Sequence, residues 1–308
     1  MKKIPFTYIL ICFLAGSTCQ KQPPEKEQKK TIVLAADKEV ILADSIKNKF
    51  SWLEEGGYNI KQSIRNQIFP PNGYKRRIVE EGDFANWLSS LPLKPEGEEV
   101  LLFNGEKKYN QWAHFRIIKM DVGNRDLQQC ADATMRLRAE YLYATKQFDD
   151  IQFNFTNGDL ADFKTWRSGN KITISNNKLR WVSSSSSNSS YKSFKNYMKY
   201  IFMYAGTASL SQELISKLFD QINSGDILIK GGFPGHAVIV VDMAFHQTTG
   251  NKVFLLAQSY MPAQEMHILK NPDNANLSPW YSMKDLAKSQ IVHTPEWTFK
   301  TTDLKSWE

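Results

Sequence analysis

Asp226-Ile227-Leu228-Ile229, His236-Ala237-Val238-Ile239-Val240-Val241-Asp242-Met243 and Lys252-Val253-Phe254-Leu255-Leu256-Ala257 are three strand-length runs rich in Val, Ile and Leu. Their near-continuous hydrophobicity decides the fold. A strand with one wet face alternates apolar and polar residues, whereas these runs have little polar to offer, so the expected sheet is covered on both sides. Between the first two lies Gly231-Gly232-Phe233-Pro234-Gly235, a stretch that permits unusual dihedrals and close backbone approach.

Upstream of the sheet the periodicity is mostly helical. Asp126 to about Thr145 is the best helix: Leu127, Cys130, Ala131, Thr134, Leu137 and Tyr141 recur at helical spacing, Asp126 is the expected N-cap, and Arg136 and Glu140 stand at i,i+4. Further helices are expected over Glu39–Trp52, Asp83–Leu91 (stopped by Pro92 and Pro95), Ser193–Tyr204 and Ser211–Ile222. Val100–Phe103 with an Asn104-Gly105 turn, Ala113–Val122, and Ile151–Phe155 with an Asn157-Gly158 turn read as strands. Ser183–Ser190 is low-complexity and reads as a mobile loop. Helices followed by an antiparallel sheet is the α+β order.

The N-terminus reads as an export segment. Lys2-Lys3 precedes an apolar run, Ile4–Ala15, and then small residues before Cys19, the plan of a signal peptide and too short to be a spanning helix. Residues 20–38 are polar and carry Pro23-Pro24, so they form a flexible tether. Residues 39–308 are then one globular domain. Cys19, between signal and tether, resembles the acylation site of a bacterial lipoprotein, which implies a lipid-anchored protein of the cell envelope facing the periplasm. With Cys12 inside the signal and Cys19 acylated, Cys130 is the remaining thiol of 3.

With 42% hydrophobic and 23% charged residues the chain is neither disordered nor fibrous. Part of its net charge of +7 comes from the flanking lysines of the signal and tether, and no zinc-finger spacing or basic zipper accompanies it, so no nucleic-acid partner is indicated. Phosphate-binding loops, dinucleotide fingerprints, paired-His zinc motifs and calcium loops do not occur, and no cofactor or metal is expected.

Three residues carry the chemistry. Cys130 sits near a helix start, where the macrodipole favours a thiolate, yet it also lies on the apolar stripe, where a free cysteine is often an inert core residue. His236 follows Gly235 and opens a strand, placed to serve as a base toward a thiol. His114, His246, His267 and His293 lack comparable surroundings. Gln258 closes the next strand and is placed to orient the imidazole, as the third member of a triad does. Gln128 and Gln129 are candidate oxyanion donors, and Tyr260, Trp280 and Tyr281 are candidate walls of a groove.

A cysteine heading a helix, the strand of Gly225-Asp226-Ile227, the strand of Gly235-His236-Ala237-Val238, and a strand ending in Gln258 resemble the NlpC-type branch of papain-like cysteine peptidases over about Asp126 to Tyr260. That resemblance implies a papain-like core with Cys130 as nucleophile, His236 as base and Gln258 as orienting residue. The interval from Cys130 to His236 is longer than in that branch, and Gln is an uncommon third member. Across the chain, Arg125-Asp126-Leu127-Gln128-Gln129-Cys130-Ala131-Asp132-Ala133, Tyr204-Ala205-Gly206-Thr207-Ala208-Ser209-Leu210, Gln258-Ser259-Tyr260-Met261-Pro262 and Thr294-Pro295-Glu296-Trp297 resemble a family of uncharacterised bacterial lipoproteins, the domain of unknown function 4846. The expected function is a cell-envelope cysteine hydrolase, a peptidase or amidase acting on a peptide or peptidoglycan stem. The competing class is a non-catalytic envelope module that binds a peptide or glycan.

Overall fold

The computed structural model describes residues 50–54, 57–77, 80, 82–184 and 186–307. The signal segment, Cys19, the tether and most of the helix expected over Glu39–Trp52 lie outside the described residues.

Nine strands form one sheet: β1 (Tyr74–Arg76), β2 (His114–Ile117), β3 (Ile215–Ser216), β4 (Ile227–Lys230), β5 (His236–His246), β6 (Lys252–Gln258), β7 (His267–Leu269), β8 (Tyr281–Ser282) and β9 (Leu304–Ser306). Their order is β2-β7-β6-β5-β4-β9-β3, with β1 also pairing β5 and β8 also pairing β6. Every pairing is antiparallel. The longer helices are α1 (Phe84–Ser89), α2 (Cys130–Ala144), α3 (Tyr191–Tyr204), α4 (Thr207–Glu213) and α5 (Met283–Ser289). The α+β class is therefore the observed one.

Side-chain alternation explains why the strands are apolar throughout. Ile227, Ile229, Ala237, Ile239, Leu255 and Ala257 join one core with Trp87, Leu88, Ala131, Met135 and Leu137 from α1 and α2. Leu228, Val238, Val240, Phe254 and Leu256 join a second core with Leu286 of α5, Val292 and Phe299. Both faces are covered, so each central strand contributes roughly 1.5–3 kcal/mol of burial per large side chain in both directions.

β5 keeps its two faces in register across one irregularity. Leu255 pairs with Asp242 but Leu256 pairs with Val240, leaving Val241 as a bulge residue. The bulge reverses the phase: Val241 and Ala244 belong to the first core, Met243 to the second. Asp242 is thereby brought onto the first face, where Arg76 of β1 binds it through Nε at 2.8 Å and Nη2 at 2.7 Å.

Some expected elements differ, each for a local reason. Val100–Phe103 makes isolated bridges at Leu101–Lys107 and Leu102–Gln264, because the Gln111 side chain takes both the N–H and the carbonyl of Val100. The strand expected to run to Val122 ends as regular β2 at Ile117, after which Ile118 bridges Leu93. The helix expected over Ser211–Ile222 is instead α4, ending at Glu213; Ile215 and Ser216 leave it to pair with Ser306 and Lys305. The serine-rich stretch is tied down at its far end: the Asn188 N–H donates to the Arg167 carbonyl and Ser190 caps α3.

Removing the Asp242 carboxylate leaves the guanidinium of Arg76, only 17% exposed, without its ionic partner. Asp242→Ala is expected to lower the unfolding free energy by about 3 kcal/mol, read from urea denaturation at pH 7.

Candidate functional site

His236 opens β5 and Gln258 closes β6, so in this antiparallel pair both fall at the same end of the sheet. They share a face as well, His236 in phase with Val238 and Gln258 in phase with Leu256.

The chain reaches His236 through glycine for a steric reason. A Cβ at Gly235 would lie 2.5 Å from the Gly232 carbonyl oxygen and 2.7 Å from that of Lys230, and would strike the Thr207 hydroxyl. A Cβ at Gly231 would strike Ser211. Thr207 also donates to the Gly232 carbonyl at 3.1 Å. α4 thus packs directly on the glycine loop, and Gly235 acts through the space it leaves.

A buried polar chain sets the histidine's tautomer. Lys108 Nζ lies 2.6 Å from Glu296 Oε1. The other oxygen of that carboxylate can only accept, and it takes an N–H of the Gln258 amide at 2.7 Å. The amide oxygen therefore faces His236, 2.8 Å from Nε2. His267 supports the same orientation. Its Nδ1 lies 2.9 Å from the Glu265 carbonyl and so carries the proton, leaving Nε2 to accept the second amide N–H at 3.4 Å. With both ends of Gln258 assigned in this way, His236 carries its proton on Nε2 and presents a bare Nδ1.

Burial pushes His236 down to about 4, against the Gln258 bond that favours the charged form. It pushes His267 down to about 3. Both rings are neutral at neutral pH. The His236 ring is boxed by Tyr260, Trp297 and Phe299 at centroid distances of 4.7, 5.3 and 5.9 Å. Lys108 stands over the Tyr260 ring at 5.3 Å.

Cys130 is the first residue of α2. The N-cap is Gln129, whose N–H is taken by Asp132 at 3.0 Å, and Asp126, the cap expected from the sequence, instead accepts from Gln129 Nε2 at 3.0 Å and from the Ala263 N–H at 2.7 Å. The residue is partly exposed. Burial, helped by the Asp132 carboxyl, pushes the thiol up to about 11, while backbone N–H groups of Ala237, Ala131 and Cys130 itself pull the other way. The helix start alone does not make a thiolate here. The backbone N–H of Ala237, which follows His236, acts on the thiol, the charge of a Cys130 thiolate is felt at Tyr260, and Tyr260 also packs near the His236 ring. Among the described residues no hydrogen bond joins the thiol to the imidazole.

Ser259 fastens the two halves together: its hydroxyl is 3.0 Å from the Gln128 carbonyl and 2.8 Å from the Gln264 carbonyl. Gln129 spends its amide nitrogen on Asp126, and Gln128 gives its amide oxygen to Arg136 at 2.5 Å. Backbone N–H groups around Sγ are the donors left for an oxyanion. Trp280 does not meet the other site residues; it is 2% exposed and donates Nε1 to the Phe69 carbonyl. Tyr281 is a core residue of β8.

His267, Glu296 and Lys108 complete the site and were not reached from the sequence. His267 has a setting as specific as that of His236, contrary to expectation, but its partner is nine residues away. Glu296 lies inside the string Thr294-Pro295-Glu296-Trp297, whose only signal was its distinctiveness. Lys108 has no sequence signal.

The class is an α+β protein with a cysteine heading a helix and a tautomer-fixed histidine at the adjoining strand end. The family described as a domain of unknown function (4846) matches residues 64–306, and the chain belongs to it. No curated protein and no solved structure matches the chain.

The depressed histidines carry a pH signature. Below about 6.5 the unfolded chain takes up a proton at His236 that the folded chain refuses until about 4. Stability at this residue is therefore unaffected above pH 6.5 and falls as pH drops toward 4. Between pH 7 and 4.5 wild type is expected to lose on the order of 2 kcal/mol more than His236→Gln, measured by urea denaturation at both pH values.

Proposed function

We propose that this protein is a cysteine hydrolase cleaving an amide in a peptide or peptidoglycan stem at the cell envelope. The observation that carries the reading is the chain Lys108–Glu296–Gln258–His236, which holds a neutral imidazole with Nδ1 unprotonated one residue before Ala237, whose N–H acts on the Cys130 thiol.

In this reading the thiol turns about its Cα–Cβ bond from Ala237 toward Nδ1. His236 takes the thiol proton as Sγ attacks the amide carbon, and the oxyanion is met by backbone N–H groups at the head of α2. The imidazolium returns that proton to the leaving amine. Water, deprotonated by the same Nδ1, then attacks the thioester carbon; the C–S bond breaks, the acid leaves, and the Nδ1 proton passes to Sγ to restore the neutral pair. The resting pair is neutral because burial disfavours both charges, so proton transfer accompanies attack. The papain-like and NlpC-like reading of the fold is supported by α2 packing on β5 and β6 with its cysteine at the strand ends that bear His236 and Gln258. Export and lipid anchoring through Cys19 are supported by the sequence of residues 1–38.

A binding module for a peptide or glycan is the second reading. Its support is the un-ionised thiol together with exposed Phe233 (88%) and Met261 (66%), each close in sequence to a site residue.

One experiment separates them: incubation of peptidoglycan stem peptides with wild type, Cys130→Ala and His236→Ala, following new amino groups. Hydrolysis by wild type, none by Cys130→Ala and a drop of at least about 10²-fold in His236→Ala is the expected result. Iodoacetamide labelling at pH 7 is expected to be slow and slower still without His236. Stem-peptide binding of equal strength in wild type and Cys130→Ala, with no turnover in either, would establish the binding module and sink the hydrolase.

A further inference from the structure

A cavity of about 710 Å³ lies beside the C-terminal end of β2, where the Lys94 N–H donates to the Ile117 carbonyl at 2.9 Å and Leu93 bridges Ile118. Arg116 of β2 lines it, with Pro92 and Pro95 on one side and the amides of Asn59, Gln62 and Gln67 on another. It shares no lining residue with the Cys130–His236 site, so its occupant is independent of the hydrolase reading.

Arg116 brings a buried charge that the protein leaves poorly matched. Its side chain is 6% exposed, yet of the five guanidinium N–H groups only two have acceptors among the described residues. Nη2 donates to the Lys94 carbonyl at 3.0 Å, and Nη1 to Gln67 Oε1 at a long 3.4 Å. Both acceptors are neutral. The carboxylate that Arg116 meets is Glu96, whose Oε2 stands 3.9 Å from Nη1, beyond hydrogen-bond reach, on a side chain 88% exposed. Arg136, just as buried, shows a settled guanidinium by contrast: Asp121 at 2.7 Å, Gln128 at 2.5 Å and Glu140 at 3.3 Å. A buried charge is costly unless it is paired and hydrogen-bonded, and a solvated carboxylate held off at that distance repays little of the cost. The same geometry shows the way in. Nε is enclosed, but Nη1 faces the side on which exposed Glu96 stands.

We infer that this cavity receives the free C-terminal carboxylate of a peptide, one oxygen accepting from Arg116 Nη1 where Glu96 now stands off, with the peptide backbone beside Pro92 and Pro95 and within reach of Asn59 and Gln62. Asn59 has given its oxygen to the Lys61 N–H, which leaves the Nδ2 donors, and the Gln62 amide has no partner among the described residues. Donors and acceptors at the wall match the alternating C=O and N–H of a peptide. Among the described residues no aromatic ring lines the cavity to stack a sugar face. Lys94 is already held by Glu265 at 2.7 Å, and exposed Glu96 and Glu98 stand against Lys119 at the rim, so the site suits one negative charge and not two.

Calorimetric titration of the full chain with N-acetyl-trialanine, its C-terminal amide, galacturonate and inorganic phosphate tests it. The free acid is expected to bind one-to-one, equally in wild type and Cys130→Ala, and the amide at least about tenfold more weakly. Galacturonate and phosphate are expected to bind more weakly than the acid. Glu96→Gln, on the exposed surface, removes the competing carboxylate and should tighten the acid roughly two- to threefold while leaving the amide unchanged. Arg116→Gln should erase the preference for acid over amide, with its circular dichroism compared to wild type; if that variant does not fold, the Glu96→Gln result decides. No binding of the acid, equal binding of acid and amide, tighter binding of galacturonate or phosphate, or an acid affinity indifferent to Glu96→Gln overturns the inference.

Discussion

β5 has neighbours on both edges and cores on both faces, and that confinement governs where polar chemistry can occur. Along most of its length a polar side chain would need a dedicated buried partner, as Asp242 has in Arg76. Where the strand begins, Tyr260, Trp297 and Phe299 still cover it. His236 occupies that position, and so does Gln258 on β6. The antiparallel pairing of two fully buried strands therefore determines that their terminal polar residues converge, without any further instruction from the intervening apolar sequence.

Convergence does not by itself fix a tautomer. An isolated buried imidazole can adopt either tautomer, and a glutamine amide can present either end. The ambiguity is removed from outside, by a carboxylate that can only accept and a histidine whose proton is already committed to the Glu265 carbonyl. Lys108 anchors the carboxylate in turn. A glutamine beside His236 becomes intelligible on this account. It carries no charge into a site that burial keeps neutral, whereas an aspartate there would favour the imidazolium and add a second buried anion close to Glu296.

The sheet was legible in the sequence because long apolar runs report burial on both faces, and the runs around Ile227, Val238 and Leu255 do so with little ambiguity. Cys130, His236 and Gln258 were legible for a related reason: each marks the end of such an element, where a polar or reactive residue stands out against its neighbours. What escaped was set by pairing at long range. Glu296 meets Gln258 across 38 positions, and Lys108 meets Glu296 across 188. Asp126 was a sound cap on local grounds and lost the role to Gln129 because Ala263, in a distant loop, competes for its carboxylate. The short α4 was misplaced for a similar reason, as pairing with β9 draws Ile215 and Ser216 out of a helical pattern.

The chain between Cys130 and His236 has a structural role at the glycine loop. Gly231 and Gly235 leave no room for a Cβ because Thr207 and Ser211 of α4 lie against them. α4 belongs to that interval, and so does α3, whose apolar face packs near the head of α2. The chain between Cys130 and His236 therefore forms the wall behind the His236 approach. A shorter connection would leave the glycine loop uncovered, and a loop with three glycines in five residues has too much conformational freedom to aim an imidazole on its own. The rigidity of the histidine's approach comes from α4, which explains why residues outside the strand pattern are needed to hold its first residue in place.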